Sequence, residues 1–134
     1  MNELVVDASV IVKWFRHQHE SNRDEALSLR ERMRGGLVVV VPALLFLELL
    51  NSAARRWGWS ASELRDLAQE LAAMPFVVAE PSLEAVARWA SLGLSAYDAS
   101  YVALAEQRGA TLVTTDEQIV AVAPAVARHL RDYV

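Results

Sequence analysis

Four acidic residues stand where a purely structural role accounts for them poorly as a set. Asp7 closes the apolar run Leu4-Val5-Val6, and Asp116 comes just after Leu112-Val113-Thr114. Asp98 lies in Ser95-Ala96-Tyr97-Asp98, at the head of a helical stretch. Glu48 is the only charged side chain between Arg34 and Arg55. Taken singly, Asp7 and Asp116 also read as helix N-caps, and Asp98 as the acidic member of a capping box with Ser95. The alternative for Glu48 is a buried ion pair with an arginine, because a carboxylate in apolar surroundings is heavily desolvated unless paired or metal-bound. Together the four suggest metal chemistry. Clustered carboxylates repel, and each tends to take up a proton unless a cation intervenes. Oxygen-only ligands suit hard ions, Mg²⁺ or Mn²⁺. Two such ions about 3.5–4 Å apart can activate a water and stabilise the leaving oxygen of a phosphodiester.

Neutral groups flank the acids. Ser9 follows Asp7 by two residues, and Thr114 and Thr115 precede Asp116; each can hydrogen-bond a ligand carboxylate or a phosphate. Asn51, three residues after Glu48, shares its helix face, and Arg55 extends that face toward solvent. Ordinary helix and turn hydrogen bonding is the alternative for all of them.

The elements that would gather these residues alternate. Strands are expected at Leu4–Val6, Leu37–Val41, Phe76–Val78 and Thr111–Thr114, with an edge strand at Val126–Leu130; the second is β-branched and continuous, which suits a fully buried parallel strand. Helices are expected over Ala8–Phe15, Glu20–Arg34 (stopped by Gly35-Gly36), Pro42 to about Arg56, Ser60 to before Pro75, Pro81–Ser91, Ser95–Arg108 and, briefly, Asp116–Val120. Ser60-Ala61-Ser62-Glu63 is a capping box. Long crossovers favour parallel pairing and right-handed connections. The fold class is therefore α/β, a three-layer α/β/α sandwich with a small parallel sheet, read as one domain over 1–134. Ligands in such sheets bind beyond the carboxyl ends of the strands, where the acids lie.

Composition narrows the chemistry further. The chain has 134 residues, 54% hydrophobic and 22% charged, enough for a real core. Without cysteine it has no disulfide, zinc–thiolate site or cysteine nucleophile. Thirteen basic residues against 17 acidic ones leave a net charge of −4, which argues against a polycation coating nucleic acid. The four proposed ligands equal that excess, and two divalent ions would cancel it. The most apolar stretch, Leu37–Leu50, is too short to span a bilayer and is interrupted by Pro42 and Glu48. The amino-terminal residues lack the basic region of a signal peptide. A cytoplasmic protein without a membrane partner is expected.

Four motifs in order carry a family resemblance: Val5-Val6-Asp7-Ala8-Ser9-Val10, Glu48-Leu49-Leu50-Asn51, Tyr97-Asp98-Ala99-Ser100-Tyr101 before an alanine-rich helix, and Leu112-Val113-Thr114-Thr115-Asp116. Over nearly the whole chain the sequence resembles the PIN-domain nucleases, and within them the VapC-type toxins of toxin–antitoxin pairs. The resemblance implies a small parallel sheet between helices and a Mg²⁺- or Mn²⁺-dependent endoribonuclease, with one or two ions per site, often acting on tRNA or rRNA. It makes Asp7, Glu48, Asp98 and Asp116 the ligands and catalytic acids, and matches Ser9, Asn51 and Thr114 to the accompanying polar positions. It also implies a homodimer checked by a small VapB-type antitoxin whose tail lies in an apolar groove.

RNA needs positive charge near the metals. Lys13 and Arg16, one and two turns beyond Asp7, and Arg55 and Arg56, at the end of the Glu48 helix, are the candidates. Arg30, Arg32 and Arg34 alternate with Glu31 and read as a solvated face. Trp57 and Trp59 either stack on bases, fill a partner interface or pack at a helix corner. Trp14 is placed near the antitoxin groove, Trp89 in the core, and His17, His19 and His129 have no metal-ligand pattern. Two related readings compete: a PIN nuclease for RNA processing or DNA flaps without an antitoxin, and a catalytically dead PIN binding module. A signalling receiver domain would need a lysine after its last strand, and the single lysine, Lys13, follows the first.

Overall fold

The computed structural model describes residues 2–16 and 21–133. Five parallel strands form the central sheet: β1 (Glu3–Val6), β2 (Val38–Val41), β3 (Val77–Val78), β4 (Thr111–Thr114) and β5 (Ala127–His129), in the order β3-β2-β1-β4-β5. Among the described residues eight helices flank it: α1 (Ala8–Phe15), α2 (Arg23–Arg34), α3 (Leu44–Arg55), α4 (Ala61–Ala73), α5 (Leu83–Ala90), α6 (Ala96–Arg108), α7 (Glu117–Val122) and α8 (Leu130–Tyr133). This is the three-layer α/β/α sandwich expected from the alternation of elements.

The strand order decides where a site can form. β1 pairs with β2 through Val5 and Val40 on one side, and with β4 through Val6 and Val113 on the other. The chain leaves β1 toward β2 and β3, then returns past β1 to build β4 and β5 on the opposite flank. That reversal opens a crevice beyond the carboxyl ends of β1 and β4. Both strands are apolar because helices cover both faces; Val5, Val6, Leu112 and Val113 are wholly buried.

α6 packs against β1 and β4. It buries Ala99, Tyr101, Val102, Ala103, Leu104 and Ala105, so it is apolar around most of its circumference, as a helix against the sheet must be. Ser95 caps its start by accepting from the Asp98 amide, 3.0 Å. Gly109 ends it at φ 63°, in the left-handed region that glycine enters without steric penalty. The box at Ser60 forms in both directions, Ser60 Oγ accepting from the Glu63 amide and Glu63 from the Ser60 amide.

Some expectations shift. α3 starts at Leu44 rather than Pro42, because the Ala43 amide donates to the Glu80 carboxylate, 3.0 Å, and supplies the helix with a cap from another segment. α2 is described from Arg23, and Glu20, His17 and His19 lie outside the described residues. The last strand stops at His129, where α8 begins. Arg30 is no solvated arginine: its guanidinium lies over the Trp14 and Phe15 rings and reaches Glu70, 3.2 Å. Trp14 is buried, donates its indole N–H to the Ala26 carbonyl, and stacks on Phe76. Trp89 is buried, as expected of a core residue. No helix among the described residues is long and apolar enough to cross a membrane.

Candidate active site

Asp7 sits where β1 becomes α1. It occupies the N-cap position of α1, yet its side chain makes no capping bond. Its two carboxylate oxygens are taken instead by hydroxyls: Ser9 Oγ donates to Oδ1 at 2.5 Å and Thr114 Oγ1 to Oδ2 at 2.6 Å. The same hydroxyls accept from the chain after β4. The Thr115 amide donates to Ser9 Oγ and the Asp116 amide to Thr114 Oγ1, both at 3.0 Å. Ser9 and Thr114 thus tie the end of β1 to the turn after β4, and that turn presents Asp116. Of the two threonines, Thr114 contributes its hydroxyl to Asp7, and Thr115 contributes a backbone N–H.

Asp7, Glu48, Asp98 and Asp116 line one pocket of about 360 Å³, together with Ala8, Ser9, Val12, Ser52, Arg56 and Tyr101. Asp116 is in part the helix cap it resembled in sequence, since its Oδ1 accepts from the Gln118 amide at 2.8 Å. Glu48 is not the arginine-paired carboxylate considered for it. Among the described residues its hydrogen-bond partner is Tyr101, whose hydroxyl donates to Oε1 at 2.5 Å.

The acids raise one another's proton affinity. Burial pushes Asp7 from 3.8 up to about 6; the Ser9 and Thr114 hydroxyls oppose the rise, and the charges of Asp98 and Glu48 add to it. Burial also raises Glu48 above the usual carboxylate range, against the Tyr101 hydroxyl and with help from Asp98. Asp98 is raised by burial and then by Asp116. The Tyr101 phenol is pushed up by burial and by the neighbouring Glu48 carboxylate, so it stays a proton donor. A site that makes three carboxylates reluctant to ionise is one that a cation would relieve.

The donor set is all oxygen, the chemistry of Mg²⁺ and Mn²⁺. Among the described residues, no three acids converge closely enough to enclose an ion by themselves. That spacing is compatible with Mg²⁺, which keeps several waters and takes one or two carboxylates.

The other residues singled out in the sequence divide. Arg56 joins the acid pocket. Asn51 and Arg55 do not: they line a separate apolar groove between α3 and α4 with Leu47, Leu50 and Leu64. Arg16 places its guanidinium over the Trp57 ring, 5.4 Å from its centroid, and Trp57 packs obliquely on Trp59 at 5.2 Å. Lys13 lies on α1 and is 6% exposed, the least exposed of the four basic candidates. His129 is buried, its Nδ1 accepting from the Arg131 amide. Ser52 and Tyr101 were not assigned from sequence. Tyr101 follows Asp98 by three residues, the spacing that puts two side chains on one helix face, and that was the available signal.

The PIN-domain model matches residues 4–124, most of the chain. The chain belongs to the PIN-domain family. This is a family of nucleases, hydrolases acting on nucleic acids. No curated protein sequence matches this PIN domain. Its fold is shared with solved structures. PAE2754 from Pyrobaculum aerophilum is 29% identical over 97% of this chain and 92% of its own, with a TM-score of 0.67. VapC20 of Mycobacterium tuberculosis, described as a Sarcin-Ricin loop cleaving toxin, is 16% identical over 88% and 93%, with a TM-score of 0.65. A toxin–antitoxin complex from Klebsiella pneumoniae contains a chain 18% identical over 95% and 97%, with a TM-score of 0.62.

Proposed function

We propose that this PIN domain is a metal-dependent endoribonuclease toxin that hydrolyses RNA phosphodiester bonds and is restrained by a cognate antitoxin. The observation that carries the nuclease reading is the meeting of Asp7, Glu48, Asp98 and Asp116 in one pocket at the strand-order reversal. These four would hold one or two Mg²⁺ or Mn²⁺ ions, which supply an activated water and stabilise the leaving oxygen. Ser9 and Thr114 hold the Asp7 carboxylate by both oxygens, so that it meets a cation already oriented. Arg56, on the pocket wall, is placed to attract the RNA backbone. The fold shared with VapC20 and with a toxin–antitoxin complex supports the toxin reading and an antitoxin partner.

Purified protein is expected to cut RNA with Mg²⁺ or Mn²⁺ and to stop when the metal is chelated. Asp98→Asn is expected to abolish cleavage while the fold survives. Normal cleavage by that variant, or cleavage unaffected by chelator, overturns the proposal. An adjacent reading frame for a small DNA-binding protein would support the antitoxin, and a nuclease that such a protein leaves active would remove it.

A further inference from the structure

Tyr101 is the least expected polar group in the pocket. It is the one large aromatic side chain on its wall, and only 1% of its surface is exposed. A buried phenol is placed by the partner its hydroxyl finds. Here the hydroxyl donates to Glu48 Oε1 at 2.5 Å, on a pocket wall shared with Asp7 and Ala8. One hydroxyl therefore ties α6 to the middle of α3. Its own helix, α6, carries Asp98 three residues earlier on the same face.

Glu48 needs such a partner more than the aspartates do. A glutamate side chain has one more rotatable bond than an aspartate, and α3 offers it no capping role. Asp7 is held by two hydroxyls and Asp116 by its own helix start. Tyr101 is the corresponding restraint for Glu48. It occupies Oε1, and among the described residues no hydrogen bond is made to Oε2.

From this geometry we infer that Tyr101 is a positioning residue, whose hydroxyl orients the Glu48 carboxylate for divalent-cation binding. The inference rests on the nuclease reading of the same pocket. Removing an outer partner of a ligating carboxylate characteristically weakens metal binding about 10- to 100-fold. Because the hydroxyl acts through Glu48, its removal has no further effect once Glu48 is gone.

The test titrates the full chain with Mn²⁺, followed by electron paramagnetic resonance, in wild type, Tyr101→Phe, Glu48→Ala and the double variant. Phenylalanine keeps the ring, and unfolding in chelator checks that the fold is retained. Tyr101→Phe is expected to weaken Mn²⁺ binding about tenfold or more in the wild-type background, and by less than twofold beside Glu48→Ala. Equal binding by wild type and Tyr101→Phe, or an equal loss in both backgrounds, overturns the inference. If the phenylalanine variant does not fold, Glu48→Ala alone decides against it when it binds Mn²⁺ as wild type does. RNA cleavage by a wild type whose Mn²⁺ affinity ignores Tyr101 refutes the tyrosine alone. A wild type that binds no Mn²⁺ and cuts no RNA refutes both readings.

Discussion

Replacing Asp7 with asparagine separates what the residue does for the fold from what it does for the site. The carboxylate is 4% exposed, and burial raises it from 3.8 to about 6. The native protein therefore holds this proton more tightly than the unfolded chain does. The stabilisation that follows is full below pH 3.8 and is lost as the pH rises to about 6, leaving a charged, desolvated aspartate above it. At 1.36 kcal/mol per pH unit, the rise corresponds to roughly 3 kcal/mol. Asparagine removes that charge but has one acceptor where the carboxylate has two. One of the Ser9 and Thr114 hydroxyls must find another partner, and they are 3.5 Å apart, close enough to use each other. The rise to about 6 already includes the hydrogen bonds by which both hydroxyls favour the charged carboxylate. Metal-free Asp7→Asn, which mimics the neutral form, is thus expected to be more stable than wild type by up to roughly 3 kcal/mol at pH 8. Urea unfolding in chelator would measure this at pH 8 and pH 4, and the advantage should vanish at pH 4. Adding Mg²⁺ should stabilise wild type and leave the variant unmoved. A variant less stable than wild type at pH 8 in chelator, or an advantage independent of pH, would refute the reasoning.

Other expectations use other residues. Arg56→Ala should raise KM for RNA and flatten the salt dependence of binding by about 0.7 in log–log slope, whereas Arg55→Ala, in the separate groove, should change neither; equal effects in steady-state assays would refute the distinction. Thr114→Val removes the donor to Asp7 and leaves the Asp116 amide without its acceptor, so denaturation should show a loss of about 1–3 kcal/mol, together with weaker metal binding by calorimetry. Ser60→Ala breaks the capping box of α4 and should lower stability by about 1 kcal/mol with cleavage intact; a loss of activity at unchanged stability would contradict the purely structural role.

Much of this architecture was legible because local and global signals agree. The β-branched run Leu37–Val41 suited a buried strand, as Val39, Val40 and Val41 are, although Val38 is exposed, and Gly109 suited a helix end. Asp7 and Asp116 were readable as a pair because Asp7 directly follows one apolar strand and Asp116 lies two residues beyond another, and parallel strands put those ends together. The face of α3 that meets the pocket was not readable. At about 100° per residue, Asn51 lies roughly 60° to one side of Glu48, and Ser52 roughly 40° to the other. Periodicity treats the two as near equals. The choice is made by the neighbours of α3: α4 covers the Asn51 side and α1 meets the Ser52 and Arg56 side, and that packing has no local signature. The burial of Lys13 was unreadable for a related reason: counting turns from Asp7 gives distance along α1, but not which face the sheet and the neighbouring helices cover.

The strand order also governs when the pocket comes into being during synthesis. Asp7 is held by Thr114, 107 residues later in the chain, and Asp116 comes later still. β1 emerges from the ribosome early, but one of its two neighbouring strands and one of the four acids are made near the end. A chain truncated anywhere before β4 has no pocket, however well its earlier helices fold. A nascent chain that has not yet reached β4 therefore carries no assembled pocket, because Asp7 still lacks Thr114 and Asp116 is not yet made.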